Sequence, residues 1–91
     1  MQDNEANKIQ KEINATKEIL VKYGFESLKD YMRQQCHRSN LFELGDEVIT
    51  PSGYDGVVIG WNGSCNYDVF VIEKDTIVNV HPNDLKYKQG V

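Results

Sequence analysis

Cys36, His37, Cys65 and His81 are the only thiol and imidazole groups in the chain. A zinc site needs three or four such ligands, and structural sites supply them in pairs such as Cys-x-x-Cys or His-x-x-x-His. Neither spacing occurs, and the adjacent Cys36 and His37 point to different sides of a helix. No metal and no cofactor is therefore expected. A cysteine nucleophile needs a neighbouring base and a third group to orient that base. Nothing in the sequence positions such a group or an oxyanion hole, so no enzymatic activity is expected either. With no second cysteine pair there is no disulfide framework, and both thiols are expected to be reduced. Cys36 is assigned to the core and Cys65 to a loop or strand edge. Gly45, Gly53, Gly56, Gly60 and Gly63 lack the following lysine and the strand-to-helix context of a phosphate loop; turns and bulges account for them.

What remains are carboxylates and aromatic rings. Asp46 and Glu47 open a strand, where charge keeps the edge solvated and discourages edge pairing. Tyr54, Trp61, Tyr67 and Tyr87 are spread through the second half of the chain, with Trp61 and Tyr67 on either side of Asn62-Gly63. One arrangement makes Trp61 and Tyr67 a cross-strand pair across that turn.

The elements that position these groups are legible from periodicity. Ile9, Ile13, Thr16, Leu20 and Tyr23 recur at spacings of four and three, which predicts a helix from about Asn4 to Tyr23 with one apolar face. Ile19 and Val21 widen or break that stripe, and Gly24 stands where a helix ends in a left-handed turn. Ser27-Leu28-Lys29-Asp30 resembles a capping box before a second helix, from about Leu28 to His37, that buries Leu28, Tyr31, Met32 and Cys36. One long helix kinked at Gly24 is the alternative. Ser39–Leu44 connects to four Val- and Ile-rich runs bounded by Gly, Pro, Asn and Asp. They predict strands at about Glu47–Thr50, Gly56–Trp61, Tyr67–Glu73 and Thr76–His81, then a helical turn at Pro82–Leu85 and a short strand at Lys86–Lys88. Asn62-Gly63 is a hairpin signal because both residues tolerate positive φ.

Alternation places Tyr67, Val69 and Val71 on one face of the third strand and Phe70 and Ile72 on the other; Val78 and Val80 oppose Ile77 on the fourth. A small barrel has one interior, so Phe70, Ile72 and Ile77 form an outer apolar patch. Either the helical arm or a partner must cover it. The expected fold is α+β: a helical arm over residues 1–40, then a five-stranded antiparallel barrel over residues 41–91.

Ninety-one residues make one domain, with or without an arm. The start lacks a basic region and apolar run of a secretory signal, and no segment is apolar enough to span a bilayer, which implies a cytoplasmic protein with no membrane role. Net charge is −4. From Leu41 onward eight acids face three lysines, whereas before it seven bases face six acids. Affinity for nucleic acid comes largely from Lys and Arg on phosphates, so an acidic second half argues against it.

Gly45-Asp46-Glu47-Val48-Ile49-Thr50, the turn with Gly53, Gly56-Val57-Val58, Tyr67-x-Val69 and Asp84-Leu85 together resemble the KOW and SH3-like small barrels, over residues 42–87. The resemblance implies a binding module of one of several kinds, since such barrels bind RNA, DNA, peptides and proteins. Where KOW modules use basic loops, this chain has Tyr54, Asp55, Asn62, Ser64 and Asn66. In an SH3-like arrangement Tyr54, Trp61 and Tyr67 lie on the rim and line a peptide groove. The leading expectation is a non-catalytic protein-interaction module that uses Asp46, Glu47, Tyr54, Asp55, Trp61 and Tyr67 to dock a basic protein, as a small inhibitor of a nucleic-acid-processing or defence protein would. One alternative is RNA or DNA binding through Lys8, Lys11, Lys17, Lys22, Arg33 and Arg38. The other is a homodimer zipped by Ile9, Ile13 and Leu20.

Overall fold

In the computed structural model, which describes residues 3–88, two helices precede a five-stranded antiparallel sheet. Helix α1 runs from Asp3 to Lys22. Its stripe packs as the spacing requires: Ile13 and Leu20 are buried, while Ile9 and Thr16 are half-buried. Ile19, Val21 and Tyr23 stay exposed. Gly24, at φ +86°, ends the helix; the next amide, from Phe25, donates back to the Leu20 carbonyl at 2.9 Å. A residue with a Cβ rarely adopts that φ, which is why glycine stands there.

Helix α2, Leu28–Gln35, is separate from α1. Ser27 caps it, its hydroxyl accepting from the Asp30 amide at 3.1 Å. The remaining free amides are met from a distance. The Glu43 carboxylate accepts from Leu28 N at 3.0 Å and from Lys29 N at 3.1 Å. An anion at this end also suits the positive pole of the helix dipole.

The strands are β1 (Glu47–Ile49), β2 (Asp55–Trp61), β3 (Tyr67–Val71), β4 (Thr76–Val80) and β5 (Lys86–Tyr87), with a 3₁₀ turn at Pro82–Asp84 before β5. Their order is β4-β3-β2-β1-β5, so β4 and β5 lie at opposite edges and the sheet does not close into the expected barrel. β5 pairs with β1 through two residues, too short a strand to reach round to β4.

The helices cover what closure would have covered. On the inner face Leu20, Leu28, Met32 and Phe42 pack with Val48, Val58, Tyr67, Val69, Val80 and Leu85. On the outer face Ile13 packs with Val57, Ile59 and Phe70, and Ile9 and Ile72 sit against that cluster. The segment expected to be an arm is thus bound to the sheet on both faces. A register slip between Val58 and Gly60 in the β2–β3 pairing frees the Ile59 carbonyl, to which the Thr16 hydroxyl donates at 2.7 Å. Gly60 leaves room for this approach, since a Cβ there would lie 3.2 Å from the Thr16 hydroxyl oxygen.

The expectation of reduced thiols is overturned. Cys36, at the end of α2, and Cys65, in the β2–β3 turn, form a disulfide with Cα atoms 5.9 Å apart. In a cytoplasmic setting glutathione and thioredoxin would oppose such a bond. Within the turn the positive φ falls at Cys65 (+62°) rather than at Asn62 or Gly63, and the Asn62 side chain accepts from the Ser64 and Asn66 amides.

Two stability predictions follow from these joints. Reduction of the disulfide, or Cys36→Ser with Cys65→Ser, is expected to lower unfolding free energy by about 3.5 kcal/mol, the chain-entropy value for a loop of this length; urea unfolding with and without reductant measures it. Glu43→Ala leaves two amides of α2 unmet and is expected to cost roughly 2–3 kcal/mol in the same assay.

Candidate functional site

The six residues expected to form one docking surface are not brought together. Tyr67 is fully buried in the inner core, and its phenol oxygen accepts from the Phe42 amide at 2.9 Å. It cannot line a groove. It does stand opposite Trp61 in the β2–β3 register. Trp61 is half-buried against Tyr31 of α2, ring centres 4.6 Å apart, and Tyr31 in turn meets Phe25 edge to face at 5.2 Å. These aromatic rings join α2 to the sheet.

The carboxylates are similarly dispersed. Asp46 closes a turn, accepting from the Glu43 amide at 2.9 Å. Glu47 and Asp55 are exposed and share Lys88, whose ammonium lies 3.9 and 3.1 Å from them; Asp55 holds the Lys88 pKa above its ordinary value. Of the bases suited to nucleic acid, Lys8 pairs with Asp75 at 3.0 Å and Arg33 with Asp30 at 3.1 Å. Of the three residues that would zip a homodimer, Ile13 and Leu20 are buried against the chain's own sheet and Ile9 is half-buried beside Ile13's cluster. Among the described residues no three of His, Cys, Asp and Glu come close enough to hold a metal ion, and no helix is long and apolar enough to cross a membrane.

What the fold does assemble lies around β4. This strand pairs with β3 through all five of its residues and, among the described residues, with no strand on its other side. Thr76, Ile77, Val78, Asn79 and Val80 include no charge and no proline, and the β3–β4 register has no slip. Natural edge strands usually carry at least one such protection. β5, the opposite edge, is two residues long, carries a charge at Lys86 and is followed by Lys88.

A trough flanks β4 on each face. The inner one, about 360 Å³, is lined by Val71, Val78 and Val80 and reaches across to the turn at Thr50–Tyr54. Lys74 lies along it with its ammonium 4.9 Å from the centre of the Tyr54 ring. The outer one, about 700 Å³, runs between β4 and α1 over Phe70, Ile77 and Ala15, with the Lys8–Asp75 ion pair among its walls. Of the outer patch expected from alternation, Phe70 is buried beneath α1, Ile72 is half-buried, and Ile77 remains 48% exposed.

A row of unpaired backbone groups with a pocketed surface on either side is the geometry that receives an added strand. Main-chain hydrogen bonds supply affinity, and alternate side chains enter the two troughs. Tyr54, Phe70 and Ile77, together with Lys8 and Lys11 of the nucleic-acid alternative, are common to this site and to the sequence expectations. The signal that could have found the rest was the uncharged run from Thr76 to Val80, which became informative only once its place at the edge was known.

Comparison with family models, with curated proteins and with solved structures returns no match.

Burial pushes the Tyr67 phenol above its ordinary 10.0, against the pull of the Phe42 amide; burial and then the Asp46 carboxylate do the same to Tyr87. The folded chain therefore holds these protons more tightly than the unfolded chain. The contribution of these two phenols to stability is fully present below pH 10.0 and is lost as pH rises through their raised folded-state values. Tyr67→Phe is expected to lose about 1–2 kcal/mol at neutral pH, because the Phe42 amide is left unmet, but to show a shallower alkaline decline. Urea midpoints across that range measure both effects.

Proposed function

We propose that this chain is a non-catalytic protein-interaction module that holds an extended segment of another chain against β4 by strand addition. One observation carries the reading: a regular, uncharged, unpaired edge strand with a trough along each of its faces. Catalysis would need convergent polar groups in a cleft. The troughs offer instead apolar floors and backbone donors and acceptors.

Lys8 and Lys11 stand on the α1 side of the edge and Lys74 on the other, whereas Lys17, Lys22 and Lys86 are exposed elsewhere. Amine-reactive cross-linking in a cell extract containing the chain is expected to give interchain products from Lys8, Lys11 and Lys74. Ile77→Glu, which puts a charge on the edge without touching the core, should abolish them. Interchain products that come mainly from Lys17, Lys22 and Lys86 and survive the substitution would overturn the reading.

A further inference from the structure

Two features of β4 bear on what its free side binds. The first is that the edge is self-complementary. Two β4 strands can meet antiparallel about a twofold axis at Val78. Each Thr76 then faces the partner's Val80, and each Ile77 faces the partner's Asn79. No like charges oppose each other within the five-residue pairing, and at its ends Asp75 comes opposite the partner's His81. Ile77, otherwise 48% exposed, gains cover on the outer face. On the inner face the two Val78 side chains meet where the two apolar troughs run together.

The second feature is that such pairing closes. A sheet with two usable edges can grow without limit, chain upon chain. Here the opposite edge is β5, two residues long, with Lys86 in it and Lys88 after it, held by Asp55 and Glu47. β4-to-β4 contact therefore uses the one extended edge of each copy and leaves nothing for a third.

Charge decides whether two acidic chains can approach. Glu47 lies on β1 and Asp55 on β2, respectively three and two strands away from β4. At roughly 5 Å per strand, Asp55 is about 10 Å from the edge. That exceeds the screening length of about 8 Å at physiological salt. The nearest acid within the sheet is Asp68 of β3, in register with Asn79 and accepting from its side-chain amide at 2.9 Å. Across a paired edge the two Asp68 residues lie three strand spacings, about 15 Å, apart, so repulsion between the two sheet halves is weak where pairing occurs.

We infer that the strand added to β4 is the β4 of a second copy, giving a symmetric dimer with a continuous ten-stranded sheet. This inference rests on the strand-addition reading of the same edge.

Sedimentation equilibrium of the full chain, with two variants of the edge, tests it. The wild type is expected to sediment at twice the chain mass. Ile77→Lys with Asn79→Lys sets like charges opposite each other twice over and should weaken association roughly tenfold or more. Near-UV circular dichroism of this variant should match the wild type. Mixing it with the Ile77→Glu chain sets Lys opposite Glu across the edge and should restore a mixed dimer, an outcome that a misfolded variant could not give. The wild-type dimer should hold or tighten as salt rises from about 0.01 M to about 1 M, where an acid-to-base contact would loosen. A dimer indifferent to the edge substitutions would overturn the inference. A chain that stays monomeric into the millimolar range would also overturn it. If Ile77→Glu still abolished cross-links to other proteins in that case, strand addition would stand, with a different protein as the occupant.

Discussion

The Glu43 carboxylate is the joint on which the arrangement of helices and sheet depends. It meets the Leu28 and Lys29 amides at the start of α2 and the Leu44 amide beside it. The same residue's backbone is tied to Asp46 in both directions, amide to carboxylate and carbonyl to amide. From that turn the Gly45 amide donates to Val58 and the Val58 amide to Asp46. One short segment thus fixes where α2 begins, where β1 begins and how β1 lies on β2. Hydrogen bonds that involve a charged group are about twice as strong as neutral ones, and these form where helix amides would otherwise be buried without a partner.

With α2 held there, the sheet has no need to close on itself. A small antiparallel sheet must hide its apolar faces, and a barrel does so by rolling up. Here α2, Phe42 and the end of α1 fill the inner face, and the middle of α1 lies over the outer one. The layer arrangement is helix, sheet and helix rather than a closed wall. The cost falls on β4, whose outer backbone groups lack the neighbour that closure would have provided, and the proposed docking role uses that vacancy.

Much of the fold was readable in advance because it depends on local rules. The α1 stripe, the left-handed Gly24, the Ser27 cap and the face alternation of β3 and β4 each follow from a few neighbouring residues. The misses share a different physical cause. Glu43 caps a helix that begins fifteen positions earlier in the chain, and no local pattern marks such a bond. Cys36 and Cys65 are 29 positions apart, and only the three-dimensional path brings their Cα atoms to 5.9 Å. Tyr67 has a polar tip that suggests a surface, yet the Phe42 amide lets the whole side chain be buried. Gly56 falls in the second strand as its place in the sequence predicts, but the reason for a glycine there is not local: a Cβ would come within 2.4 Å of a Val69 methyl group on β3. Closure could not be judged because it depends on how far β5 extends, and strand ends are the part of a sequence pattern least constrained by burial.

The Cys36–Cys65 bridge turns the middle of the chain into a covalent ring. Inside it lie Phe42, Glu43, Val48 and Val58, while Thr50–Tyr54 loops outward with Pro51, Ser52 and Gly53 exposed. A protease cutting in that loop would open the ring without separating its ends. The two fragments would migrate as one species until a reductant parted them, and before that each would still hold the other's apolar surface out of water.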